Sequence, residues 1–321
     1  MATISSMVGD GFYDRNSHVQ QQFIFSSSDQ LMQAVERLPL PQHGAIGLAD
    51  LGCSEGKNSV QLMRHVVDLL RKRRPEQTIV VTHNDLPANN FNELFHTLNE
   101  WPRPYGANAW AMACAGSFFQ PVVPPGTLHL ACCYSAVHWL SRLPEVGDPT
   151  GVLFSRMTPE SRNLLAAQAA LDWESFLRAR ARELVSGGQL VIVTGGRDGA
   201  NVAGLKMYAL LEQILGELQQ PPFVMPIYYR SQEEILEPLR SCGFRCDHFR
   251  IQHLKTPFAQ QLEQDGDRLT YARATTAFVR AWMEPLLPEP RIYERMEERM
   301  AAHPEGTSVA NVQVVAAFTR L

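Results

Sequence analysis

The sequence predicts an α/β protein: a mostly parallel sheet of seven strands, helices between them, and a helical cap. Three observations carry that expectation. Seven apolar runs of strand length recur along the 321 residues. Apolar periodicity of the helical kind separates the first of them. Two long, helix-rich, proline-punctuated stretches exceed what such a sheet needs.

The first strand is "AIGLADLG" (45–52), and "NSVQLMRHVVDLLRKR" (58–73) after it sets Val60, Leu62, Met63, Val66, Val67, Leu69 and Leu70 largely on one helical face. "TIVVTHND" (78–85) is the second strand, followed by a helical "NNFNELFHTL" (89–98). "AWAMACAG" (109–116) and "TLHLACCYS" (127–135) are the third and fourth. Leu128, Leu130, Cys132 and Cys133 lack strict alternation, as expected where helices cover both faces of a parallel sheet. "GGQLVIVTGG" (187–196), "FRCDHFRIQHL" (244–254) and "NVQVVAAFTRL" (311–321) complete the set. The βαβ order makes the early strands parallel, and an antiparallel strand at the sheet edge is expected among the last two. The core is assigned to 21–196, 226–255 and 307–321, the cap to 197–225 and 256–306. Residues 1–20 show little that could form a regular element and read as a lid.

Composition narrows the partners. With 45% hydrophobic and 19% charged residues the chain reads as an ordinary globular protein, and a net charge of −4 leaves no basic footprint for nucleic acid or anionic membrane. Small molecules or proteins are the expected partners. Runs such as "LVIVTGG" fall short of the roughly 20 residues that cross a bilayer. No charged leader precedes an apolar segment, and four of the six cysteines lie in apolar surroundings, as reduced thiols do. A cytoplasmic location is expected.

The first chemical signal is "ADLGCSEGKNS" (49–59), where a strand turns through Gly52 and Gly56 into a helix with Asp50 just before the turn. Glycines let a backbone approach a ligand, and the helix start offers free N–H groups. The pattern D-x-G-x-x-x-G lacks the G-x-G-x-x-G that admits a pyrophosphate. It suits a nucleoside with an amino acid tail, such as S-adenosylmethionine; an ordinary tight turn gives the same pattern. Asp85, at the tip of the second strand, can accept both hydroxyls of a ribose, or equally cap a helix or sit in a solvated turn. After the third strand, Ser117 can bond an adenine edge and Phe118 stack on its face.

These segments resemble the SABATH methyltransferases of plants, which methylate the carboxylates of salicylate, benzoate, jasmonate or indole-acetate and include the caffeine-pathway N-methyltransferases. The resemblance rests on "YDRNSHVQ", "DLGCSEGKNS", "NDLPANNFNELF", "GSFF", "YSAVHWLSRLP", "ARELVSGGQLV" and "VRAWMEPLL", in family order along the whole chain. It implies a Rossmann-like class I methyltransferase core and a homodimer. It assigns Tyr13, Asp50, Cys53, Asn58, Asp85, Leu86, Ser117 and Phe118 to S-adenosylmethionine, and Gln20, Ser135, His138 and Trp139 to the substrate. The substrate it implies is a small, mostly apolar carboxylic acid, leaving as its methyl ester beside S-adenosylhomocysteine.

The indole N–H of Trp139 can only donate. With the Gln20 amide it is expected to hold a carboxylate, already ionised at neutral pH, so that no residue is needed as a general base. No residue is assigned a catalytic role beyond this positioning. Ser135 stands where the family has a pocket tyrosine, and Tyr134, one place earlier, is expected to point to the other side. His138 resembles the indole-acetate and purine-methylating branches. Methylation of a heterocycle nitrogen is therefore the alternative, with a non-catalytic nucleoside-binding protein as the alternative of another class.

Other features carry less. Cys242 and Cys246 in "CGFRC", with His248 and His253, lack metal-ligand spacing and are read as products of strand alternation; no metal is expected. "RKRRPE" (71–76) reads as a solvated helix end. No Ser-His-Asp or Cys-His arrangement is marked out.

Overall fold

A computed structural model of the chain describes residues 7–9, 11–99, 105–146, 151–307 and 310–321. Helices open it: α1 (Phe12–Asn16), α2 (His18–Ser26) and α3 (Ser28–Glu36). The expectation that residues 1–20 hold no regular element is therefore corrected from residue 12 onward; residues 1–6 and 10 lie outside those described. Tertiary packing decides it, because Val19, Phe23 and Ile24 of α2 are buried although the helix has little apolar periodicity of its own.

Each expected strand forms, within a few residues of its predicted bounds: β1 (Ile46–Leu51), β2 (Ile79–Asp85), β3 (Ala109–Ala115), β4 (Leu128–Tyr134), β5 (Leu184–Gly195), β6 (Phe244–Lys255) and β7 (Ala310–Arg320). Between them lie α4 (Lys57–Arg73), α5 (Phe91–Asn99), α6 (Pro159–Glu183), α7 (Leu205–Glu217), α8 (Gln232–Leu236), α9 (Pro257–Asp265), α10 (Arg268–Met283) and α11 (Pro290–Ala302). Pro257 and Pro290 of the C-terminal stretch begin α9 and α11, where their missing N–H costs nothing. Thr256 caps α9 by accepting from the Ala259 N–H at 3.2 Å.

One seven-stranded sheet runs in the order β3-β2-β1-β4-β5-β7-β6. β1 to β5 are parallel, and β7 is antiparallel to both its neighbours. The antiparallel strand is thus internal, not at the edge as expected. Val312 through Phe318 are all buried, which only an internal strand provides, whereas β6 carries Arg245, Asp247, Arg250 and His253 and tolerates the edge.

Both sheet faces are covered. One apolar cluster joins β1 and β2 to α3 and α4 through Leu48, Val81, Val35 and Met63; another joins β4, β5 and β7 to α6 and α8 through Cys133, Ile192, Phe318, Trp173 and Ile235. A third collects Tyr208, Leu211, Phe278, Met283 and Met296 from α7, α10 and α11 with Val19 and Phe23 of α2. The basic run at 71–76 is not merely solvated: Arg71 Nη2 donates to Ala107 O at 2.7 Å, and Arg73 to Val35 O. Cys242 lies in the turn before β6 rather than on the strand, which carries Cys246, His248 and His253.

Candidate active site

The strand order reverses between β1 and β4, and ligands of open α/β sheets bind outside the carboxyl ends at that point. Two adjoining cavities lie there. The first, a crevice of about 390 Å³, is lined by Asp50, Gly52, Cys53, Ser54, Asn58 and Ser59 from the β1–α4 turn, by Tyr13, Asp14, Gln20 and Ile24 from α1 and α2, and by Tyr134 from β4. Gly52 turns at φ +89°, and a Cβ on it would lie 2.4 Å from the Ala136 Cβ. Only glycine lets the turn close against the exit of β4.

The next two strand ends buttress that turn. Asp85 accepts from the Ser54 N–H and the Leu86 N–H, each at 2.7 Å. Asn84 Nδ2 donates to Cys114 O at 2.9 Å and Gly116 O at 2.8 Å, tying β2 to the start of "GSFF". Ser117 Oγ accepts from the Phe119 N–H at 3.4 Å, and the Phe118 ring stands 5.8 Å from that of Phe176, edge to face. Asp85, Leu86, Ser117 and Phe118 are outside the crevice lining itself. Asp85 adjoins it through Ser54, and Phe118 reaches within 3.7 Å of a Cβ built on Gly52.

The crevice is acidic. Asp50 is 4% exposed and its Oδ1 is buried without a partner. Burial, reinforced by the charge of Asp85, pushes its carboxyl up to about 6. Burial also holds Asp14 at about 6 and raises Asp85. Three carboxyls raised by desolvation, together with the glycine cradle, fit a nucleoside whose tail brings positive charge, as the sulfonium and ammonium of S-adenosylmethionine do.

The amino-terminal helices close one side. Asp14 Oδ2 accepts from the Lys57 N–H at 3.2 Å, supplying the helix cap that Gly56 lacks. Asn58 Nδ2 donates to Ser17 Oγ at 2.8 Å, and Gln21 Nε2 to Gln61 Oε1 at 3.1 Å. The Val8 N–H reaches Ala281 O of α10 at 2.9 Å, so the same segment also touches the C-terminal helices.

The second cavity holds about 590 Å³, mouth included, within the range of small-molecule sites. Gln20, Ser135, His138 and Trp139, the four residues assigned to substrate, all line it, with Tyr13, Tyr208, Tyr229, Phe278 and Trp282. Among the described residues no lysine, arginine, aspartate or glutamate does. Ser135, at φ +55°, faces this chamber, while Tyr134 lines the crevice and accepts from Ser27 Oγ at 3.2 Å, the two sides expected of the pair. His138 Nδ1 bonds Thr194 Oγ1 at 2.8 Å; burial, then the nearby Arg230, pushes its pKa down to about 3, so the ring is neutral at pH 7. A segment before α8 braces it: Tyr228 N–H donates to His138 O at 2.8 Å, and Arg230 Nη1 to Val137 O at 2.8 Å. Tyr13 and Gln20 line both cavities.

Sequence reading missed Asp14, although it stands in "YDRNSHVQ" beside Tyr13, and it missed Tyr208, Tyr229 and Arg230, which stand in no motif with a chemical pattern. It also missed Arg180 and Glu183, although these continue the apolar stripe of Trp173, Phe176 and Leu177 at helical spacing, a signal that they are buried. Among the described residues no cluster of three or more His, Cys, Asp or Glu could hold a metal ion, and no helix is long and apolar enough to cross a membrane.

Comparison with known proteins bears on this pair of cavities. Residues 3–320 match the family described as SAM dependent carboxyl methyltransferase. Gibberellic acid methyltransferase 1 of Arabidopsis thaliana is 28% identical over 342 residues, which span 92% of this chain and 91% of that protein. Anthranilate O-methyltransferase 2 of Zea mays is 26% identical over 352 residues, 96% and 94% of the two. The solved structure of loganic acid methyltransferase with SAH shares the fold, with a TM-score of 0.82 over 98% of both chains at 24% identity.

Proposed function

Since this chain belongs to the S-adenosylmethionine-dependent carboxyl methyltransferases, we propose that the crevice takes the cofactor, that the aromatic chamber takes a small carboxylic acid, and that the product is its methyl ester. The observation that carries this reading is the shared wall: Tyr13 and Gln20 line both cavities, so a group at their junction is reachable from each.

On this reading the remaining lone pairs of Asp85 accept the ribose hydroxyls, Ser117 and Phe118 lie on the adenine side, and Asp50, Asp14 and Asn58 surround the charged tail. When bound, the cofactor supplies an electrophilic methyl group. The chain's own task is alignment. The Gln20 amide and the Trp139 indole N–H hold the carboxylate, while the apolar chamber excludes water and leaves the oxygens poorly solvated. A carboxylic acid is ionised at pH 7, and His138, neutral, is not required to remove a proton.

Methyl transfer from labelled cofactor to a panel of aromatic, indolic, terpenoid and fatty acids, with the ester identified by mass, tests the reading. Trp139→Phe keeps most of the ring but removes a donor to a charged oxygen, and Gln20→Ala removes the other. Each is expected to lower kcat/KM roughly ten- to a hundredfold, about 1.5–3 kcal/mol. His138→Met should matter less. Neutral His138 in the chamber wall favours one second reading, methylation of a ring nitrogen. A mild Trp139→Phe defect beside a severe His138→Met defect would select it and sink the carboxylate.

A further inference from the structure

We propose that the acid this chain methylates is not a plain hydrocarbon acid but carries a second group that accepts a hydrogen bond, a hydroxyl, oxo group or ring nitrogen, bound by the paired hydroxyls of Tyr208 and Tyr229. This rests on the carboxylate reading above and narrows it. The chamber wall is a run of rings that begins at Trp139. The Trp139 and His138 centroids are 6.2 Å apart, those of His138 and Tyr229 5.3 Å, and those of Tyr208 and Trp282 6.3 Å. Tyr208 and Tyr229 meet through their hydroxyls at 3.5 Å. Polar tips therefore continue along the wall beyond the donors that a carboxylate uses.

The tyrosine pair is built into the chamber but left incomplete. The rings are only 2% and 7% exposed, and burial keeps both hydroxyls protonated. At 3.5 Å their mutual bond is at the outer limit of hydrogen bonding. Either hydroxyl can donate to the other, and whichever does, the second proton of the pair is left to find its own acceptor. Buried hydroxyls almost always have a partner, and among the described residues no carboxylate lines the chamber to supply one. Room for the Tyr229 ring is itself specific: a Cβ on Gly195 would lie 2.4 Å from its Cε1. An acid with an entirely apolar body would cover this pair and leave its second proton without an acceptor, whereas one with an acceptor at that place completes it.

The test uses 3-phenylpropanoate and 1-naphthylacetate with their ring-hydroxylated isomers as acceptors, on the parent enzyme, Tyr229→Phe and Tyr208→Phe. At least one hydroxylated isomer should exceed its parent acid about tenfold or more in kcat/KM. Tyr229→Phe should erase that preference, lowering the favoured isomer about tenfold while the plain acid stays within about threefold, and Tyr208→Phe should remove part of it. Melting temperatures report folding, and either variant alone can decide the outcome. Equal turnover of plain and hydroxylated acids by the parent, or a loss in Tyr229→Phe that is the same for both, overturns the proposal. Failure of the carboxylate reading looks different: cofactor binds and no acid of either set gives an ester, which overturns both.

Discussion

Arg180 and Glu183, one turn apart on α6, are wholly buried and meet at 2.6 Å. Their remaining groups serve the loop that follows "GSF". Arg180 Nη1 donates to Phe118 O at 2.6 Å and Nη2 to Gln120 O at 3.1 Å, while Glu183 Oε1 accepts from the Val122 and Val123 N–H groups. Arg180→Met would leave the Glu183 charge buried without its counter-charge, a loss of about 3–5 kcal/mol. Against a typical stability of about 5–15 kcal/mol this is large, and at a few degrees per kcal/mol it lowers the melting temperature by roughly 10 °C. Arg180→Met with Glu183→Met removes both charges, so most of that penalty should disappear. The loop, however, still loses all four anchors. The double variant should therefore fold yet bind S-adenosylhomocysteine at least tenfold more weakly, about 1.4 kcal/mol. Urea unfolding and calorimetric titration measure the two quantities separately. Parental stability in Arg180→Met would refute this pair as the anchor of the loop, and parental affinity in the double variant would refute the proposed place of that loop beside the adenine.

The acidic crevice makes both stability and cofactor affinity depend on pH. Asp14 and Asp50 sit at about 6 in the ligand-free fold against an ordinary 3.8, so the folded state holds more protons than the unfolded one. Ligand-free stability should then fall as pH rises from about 4 to 6 and level off above. A ligand of net positive charge prefers the ionised carboxyls, so S-adenosylmethionine should bind more tightly at pH 7.5 than at pH 5 and release protons near pH 6; S-adenosylhomocysteine, a zwitterion of no net charge without the sulfonium, should depend less on pH. Calorimetry in buffers of different ionisation heat checks this, and affinity for S-adenosylmethionine flat across that range contradicts it. Residues 12–26 bridge the crevice through Asp14, Ser17 and Gln21, so their amides should gain hydrogen-exchange protection when S-adenosylhomocysteine is added. Equal protection with and without it would mean that α1 and α2 are fixed walls rather than a closing lid.

Most of the sheet was legible because its strands are apolar runs between turn residues, and those patterns are local. Strand order among the last two was not. β6 and β7 differ in sequence by how many charges they carry, and that difference selects an edge or an interior place only once the partner strands are known. The amino-terminal helices were illegible for a related reason. "HVQQQFIFS" has no strong apolar face, and Val19, Phe23 and Ile24 find their burial against α4 and the C-terminal helices, elements far away in sequence.

The candidate site divides along the same line. Asp50, Gly52, Asp85, Ser117 and Trp139 could be read because each stands at a strand end, where the chemistry and the turn are encoded within a few residues. Tyr208, Tyr229, Arg180 and Arg230 act through neighbours 60 or more residues away or through a wall that several separate segments assemble, and a single motif cannot carry that. The division has a functional consequence. The crevice is built chiefly from the β1–α4 turn with α1 and α2, whereas the chamber adds to the ends of β4 and β5 a wall from α2, α7, α10 and the segment before α8, which the sheet does not constrain. One sheet can therefore keep the same cofactor while the helices around the chamber change what acid fits. Identity of about 28% across a whole chain is compatible with a shared reaction and a different acid, and it is in Tyr208, Tyr229, Ser135 and His138 that the choice of acid is expected to lie.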